Sequence, residues 1–264
     1  MDFKDLQKEL FERKFNVLEY FMWMFGILRV FIWENKLWVT GFVLSNILIG
    51  IMPADFVKKY WFMSTVLAYY DRIFIFISYA KVLHRIESTE NEYKFTNLIV
   101  KYLKLLLVLI FSVPLLLVLI KQLKFVTKII TKNQILNGQI IGMVFVVLSL
   151  IFIPYFTQIY AGRNMKMWQS LKYNFMLARK SRLRVAIPII ILTVLNNLLL
   201  MMNYYHNNFG QLYARNIVTS FVIVISSIFQ IVIVIMYVVV FLNVEYDYLK
   251  SHRKDTEKMI ENEI

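Results

Sequence analysis

The chain contains no cysteine, only three histidines, and 17 acidic residues against 30 lysines and arginines. Without cysteine there is no disulfide, thiolate nucleophile, iron–sulfur cluster or cysteine zinc site. His84, His206 and His252 lie far apart in the sequence, so neither a metal nor any other cofactor is expected. A P-loop, an HExxH helix and a serine elbow are all missing, and no apolar run carries a pair of carboxylates. These absences lead to the expectation that the protein is not an enzyme. The first residues, MDFKDLQKELFERKF, lack an apolar core and a small-residue cleavage site, so they do not read as a signal peptide. Asp2, Asp5, Glu9 and Glu12 alternate there with Lys4, Lys8, Arg13 and Lys14, as in a solvated helix with internal ion pairs.

What the chain has in excess is apolar surface. A soluble domain carries about 25% charged and about 45–50% apolar residues, whereas this one is 18% charged, 59% hydrophobic and 16% aromatic. The net charge of +13 would suggest nucleic acid in a soluble protein, but here the cations fall between apolar runs. Nucleic acid is therefore not an expected partner; the bilayer and its anionic headgroups are.

A spanning helix needs about 20 largely apolar residues. Six runs approach that length: 37–52, 60–83, 103–120, 135–160, 185–202 and 216–244, the last long enough that it must tilt or project. The expected fold is all-α and polytopic. An N-terminal part, 1–36, holds cytoplasmic and interfacial helices, a membrane domain fills 37–248, and 249–264 forms a cytoplasmic tail. The apolar stretch Phe15 to Trp33 contains Glu19 and Arg29 and is read as interfacial. With six spans and both termini inside, 22 Lys and Arg residues face the cytoplasm and seven face outward, the bias expected for loops retained inside. The exception is an outer lysine stripe, Lys121, Lys124, Lys128 and Lys132, read as a solvated loop.

The most basic stretch is Gly162 to Arg184, with Arg163, Lys166, Lys172, Arg179, Lys180, Arg182 and Arg184. Read as one helix, it aligns Met165, Trp168, Leu171, Phe175 and Met176 on a stripe, the pattern of a helix lying in the interface. Its cations form a basic cytoplasmic surface for anionic headgroups or a partner protein. Similar leads precede the first, third and fifth runs, at Leu28 to Leu44, Phe95 to Phe111 and Leu171 to Ile191. The layout is thus three helix-hairpin repeats, which in membrane proteins often frame a site near the midplane.

Polar residues recur at the middle of every run: Ser45 and Asn46, Asp71 and Arg72, Ser112, Ser149, Asn196 and Asn197, then Ser226, Ser227 and Gln230. Charged groups at that depth cost about 2.5–3.5 kcal/mol on insertion scales. The layer reads either as hydrogen-bonded glue between helices or as the lining of a polar cavity. Gly138 and Gly142 form a GxxxG packing motif, and Tyr and Trp cluster near the run ends, as in an interfacial belt.

The segment PYFTQIYAGRNMKMWQSLKYNFMLARKSRLRVAIPIIILTVL resembles bacterial YciC-like membrane proteins and the membrane domain fused to some glycerophosphodiester phosphodiesterases. Tyr155, Gly162, Ser170, Leu171, Lys172 and Arg179 stand at the resembling places. The resemblance implies a multi-pass protein of the bacterial cytoplasmic membrane and transfers no catalytic residue. The expected role is to handle a lipid or small solute, or to serve as a membrane scaffold. The alternative is a permease subunit that docks a separate ATPase through residues 162–184.

Overall fold

The computed structural model describes residues 3–52, 56, 59–89, 94–122, 153–179, 181–207 and 212–263; within them, the side chains of 109–122, 182, 185, 201–207, 212–216 and 253–263 are left undescribed. The described residues are helical, with no strand. They form α1 (Phe3–Glu12), α2 (Val17–Glu34), α3 (Lys36–Ile51), α4 (Trp61–Glu87), α5 (Phe95–Gln122), α6 (Phe156–Gly162), α7 (Met167–Ala178), α8 (Arg182–Asn207) and α9 (Leu212–Glu263). Most of the fourth apolar run, Gly138, Gly142 and most of the outer lysine stripe lie outside the described residues.

The fold is organised on α9. Its stretch from Ile231 to Val244 is a nearly unbroken series of Ile, Val, Met, Phe and Leu, mostly buried on all sides. A helix that is apolar all round has to be surrounded, and α9 packs against α1, α2, α3, α4, α6, α7 and α8. β-Branched residues are weak helix formers, but a run this long is held helical by packing. At about 1.5 Å per residue, the 52 residues of α9 extend roughly 78 Å, and the helix continues through the segment expected to be a tail.

Among the described residues, the stretch of α9 from Ile217 to His252 is long and apolar enough to cross a membrane; its apolar window has a mean hydropathy of 2.8 and is 56% buried. Lys36–Ile51 and Ala186–Leu200 are shorter apolar helices. Among the described residues, length and apolarity thus single out this one helix; in α4 the apolar run is interrupted by Asp71 and Arg72.

α2 begins with a reciprocal cap: Asn16 Oδ1 accepts from the Glu19 amide at 2.9 Å, and Glu19 Oε2 accepts from the Asn16 amide at 2.8 Å. Glu19 is therefore a capping residue, not a charge set within an apolar run. Tyr20, Met24, Ile27 and Phe31 bury one face of α2, while Leu18, Met22 and Phe25 are exposed. Only Asn35 separates α2 from α3. α1 carries the expected i,i+4 pairs, Lys8–Glu12 at 3.9 Å and Arg13–Glu9 at 2.8 Å. It is not simply solvated, however, since Leu6 and Leu10 are fully buried where α1 packs on α4 and α9.

The single helix expected over Gly162 to Arg184 is three pieces. α6 stops at Gly162, Arg163 is extended (φ −108°, ψ 146°), α7 starts after an extended Lys166, and α8 starts at Arg182. The guanidinium of Arg163, at the break, is bound to carboxylates on α4 and α9. The expected stripe faces outward only in part: Trp168 is 76% exposed and Phe175 and Met176 are exposed, but Met165 and Leu171 pack half-buried on the core, while Ser170, Asn174, Leu177 and Ala178 turn inward. Pro188 sits in the second turn of α8, where its ring removes one backbone donor.

Candidate functional site

The middle of the bundle is set by an aromatic seam. Trp38 and Phe42 of α3 stack on Phe74 of α4, with the Phe42 and Phe74 ring centroids 3.9 Å apart. One turn further along α3, Ser45 meets Asp71: Ser45 Oγ lies 2.5 Å from Asp71 Oδ1 and 2.9 Å from the Phe42 carbonyl. A hydroxyl has one proton, so it donates to only one of these at a time. A protonated Asp71 would donate to Ser45 while Ser45 donates to Phe42 O, and a charged Asp71 would accept the Ser45 hydrogen bond instead.

The other midplane residues do not join them. Asn46 donates to Phe42 O (3.1 Å), Asn197 to Thr193 O (2.8 Å) and Ser227 to Ile223 O (2.8 Å), each on its own helix. Arg72 is exposed, Gln230 is half-buried, and Asn196 Oδ1 is buried without a partner. Ser149 lies outside the described residues, as does the side chain of Ser112.

The densest polar grouping lies at the charged end of the helices. Arg163 grips Glu87 of α4 in bidentate fashion, at 2.6 and 2.8 Å, and also pairs with Glu245 of α9. Tyr173 donates to Glu245 (3.1 Å) and Tyr246 to Glu87 (3.0 Å), supplying the hydrogen bonds that one guanidinium cannot give two carboxylates. The Arg163 side chain is 22% exposed and that of Glu245 5%. Burial works against the Arg163 charge, but the two carboxylates outweigh it and raise its pKa. Burial, and then the Glu245 carboxylate, push the Tyr173 hydroxyl up.

A second hub lies beside it. Asn243, fully buried, donates to the carbonyls of Leu10 (2.9 Å) and Arg13 (2.8 Å). Its Oδ1 accepts from Arg184 (2.7 Å), Tyr20 (2.8 Å) and the Phe15 amide (3.2 Å). Asp247 holds Arg184 and Lys14, at 3.3 and 3.1 Å. Lys101 donates to the carbonyls of Tyr160 (3.0 Å) and Arg163 (2.7 Å), capping the end of α6, and burial lowers its pKa.

No family model matches this chain, nor does any curated protein or solved structure. Of the residues carrying the YciC-like resemblance, Tyr155, Gly162 and Ser170 are buried, Leu171 is half-buried, and Lys172 and Arg179 are exposed. Gly162 has a steric reason to be glycine, since a Cβ there would stand 2.6 Å from Leu83 Cδ1. The Tyr155 amide donates to Asn174 Oδ1 (2.9 Å), and its hydroxyl donates to Ser181 O (3.1 Å).

The basic surface expected over residues 162–184 is therefore divided. Lys166, Lys172 and Arg179 are exposed, but Arg163 and Arg184 turn inward to carboxylates. Lys180 and the Arg182 side chain lie outside the described residues. Sequence reasoning missed Glu87, Asn243, Glu245 and Asp247. The available signal was the alternation of Asn243, Glu245 and Asp247 where the longest apolar run ends. Among the described residues no group of His, Asp and Glu is arranged to hold a metal.

Proposed function

We propose that the chain is a non-enzymatic integral protein of the bacterial cytoplasmic membrane. It has six spans in three helix hairpins, with both termini cytoplasmic, and handles a lipid or small solute. The observation that carries this reading is the outer face of α8, where Ile187, Ile190, Ile191, Val194, Leu195 and Leu198 are all exposed at helical spacing. Water would penalise so large a continuous apolar surface, whereas lipid chains would solvate it. Val100, Leu103 and Leu107 repeat the pattern on α5, and the ion pairs collect at the opposite, charged end. The succession of α2 and α3, and of α7 and α8, supports the repeat, each being a lead helix, a break and an apolar helix, while the lead at Phe95 runs unbroken into α5.

Topology is tested by single cysteines in this cysteine-free chain. Cysteines replacing Asn133 and Asn208 should react with an impermeant thiol reagent from outside, and one replacing Lys172, which is exposed on α7, should react only after the membrane is opened. Reaction of intact cells at Lys172→Cys would invert the assignment. The alternative, a permease subunit docking an ATPase through residues 162–184, draws on the exposed Lys166, Lys172 and Arg179. It predicts that a nucleotide-hydrolysing partner copurifies in mild detergent.

A further inference from the structure

Two clefts flank the α6–α7 link, and they differ in charge. The first, of about 630 Å³, is lined by Arg163, Glu87, His84, Lys94 and Lys101, and the Arg163 charge within it is already committed to carboxylates. The second, of about 750 Å³, lies between α5 and the start of α7; Lys101, Lys104 and Lys166 line it together with Leu107, Val108 and Met165, and no carboxylate does. Lys104 and Lys166 are exposed and have no ion-pair partner among the described residues.

We propose that this second cleft binds an anionic phospholipid of the cytoplasmic leaflet, its phosphate on the three lysines and its acyl chains along α5. Lys101 is the fixed element, since two of its three ammonium hydrogens are committed to the carbonyls of Tyr160 and Arg163. One hydrogen is left for a ligand, on a nitrogen that cannot swing away. Lys104 and Lys166 reach in from either side of the cleft as mobile charges. The apolar wall decides between lipid and free phosphate: Leu107 and Val108 are exposed one turn beyond Lys104, at the depth where the third apolar run enters the membrane. A small hydrated anion would leave these residues uncovered, whereas a glycerol backbone and acyl chain would cover them. The exposed Val100 and Leu103 continue the apolar side of α5 past the lysines.

The proposal rests on the membrane reading above, and its test separates the two. The full chain, purified in a neutral detergent, is titrated with phosphatidylglycerol and with phosphatidylcholine, and bound lipid is counted by native mass spectrometry. Phosphatidylglycerol should be retained preferentially. A lysine near an anionic lipid contributes about fivefold in affinity, so Lys104→Gln/Lys166→Gln should weaken phosphatidylglycerol binding by roughly tenfold to thirtyfold. Both substitutions are at exposed positions, so the variant's thermal unfolding should match the parent's. Equal retention of the two lipids, undiminished binding by the variant, or displacement of the lipid by inorganic phosphate would each overturn the proposal. Release of the protein from membranes by alkaline carbonate would instead overturn the membrane reading, which retention without lipid preference leaves standing.

Discussion

Asn197 and Arg163 are both polar residues in apolar surroundings, and they are satisfied in opposite ways. Asn197 returns its amide to Thr193 O on its own helix, whereas Arg163 joins α4 to α9 through two carboxylates. Asn46 and Ser227 behave like Asn197, and Asn243 behaves like Arg163. A group that closes on its own helix makes no demand on how helices are arranged, so it specifies little. A group shared between helices fixes their relative positions and is costly to break, because its partners remain buried. The mid-helix layer of this protein is thus permissive and its charged end prescriptive, with the Ser45–Asp71 contact as the mid-helix exception.

The strongest way to break that contrast is Arg163→Met. It leaves Glu87 and Glu245 facing each other without a cation, and removing one partner of a buried ion pair costs about 3–5 kcal/mol. Thermal unfolding in detergent should fall markedly, and adding Glu245→Gln should recover part of the loss. An unchanged midpoint would mean that the cluster does not hold the helices together.

A gentler probe of the same end is pH. Burial, against the opposing influence of Arg184, pushes the Tyr20 hydroxyl from an ordinary 10.0 up to about 12. The folded state therefore keeps a proton that the unfolded chain loses, and the sign follows from linkage. The contribution is intact below pH 10 and is lost as pH rises toward 12. The decline in stability across that window should be shallower in Tyr20→Phe. Equal slopes would show that the Tyr20–Asn243 bond carries no such coupling.

The smallest effect is expected at the other pole. Asn197→Leu removes a hydrogen bond confined to one helix, and polar contacts between membrane helices average about 0.6 kcal/mol. Its unfolding midpoint should shift by a degree or so. A loss as large as that of Arg163→Met would mean that Asn197 holds an interhelical role.

The contrast also explains what could be read in the sequence. Apolar run length located the helices: 37–52 became α3, 60–83 lies in α4, 185–202 lies in α8 and 216–244 lies in α9. It did not locate their ends, because α4 continues to Glu87 and α9 past Glu245 through residues whose charges are paired across helices. A charge in sequence reads as the end of a buried helix unless its partner is known, and the partners of Arg163 lie 76 and 82 positions away. Residues 162–184 could be read as amphipathic and outward-facing at Trp168, but the break at Arg163, whose ion-pair partners are distant in sequence, could not. The mid-helix polar residues could be counted in sequence. Which of them would close on their own helices depended on which face each helix presented.

Asn243 also constrains the order of events during synthesis. It holds the carbonyls of Leu10 and Arg13 and the amide of Phe15, so α1 and the start of α2 are seated by a residue more than two hundred positions later. These two helices, made well before α9, cannot complete their hydrogen bonds until α9 has been made and brought alongside them. Until then, the buried face of α1 has only α4 to pack on, and that of α2 lacks its main partner. α1 and α2, though made well before α9, are therefore among the last helices to reach their final places, and a nascent chain stalled before residue 243 should leave them more open to proteolysis.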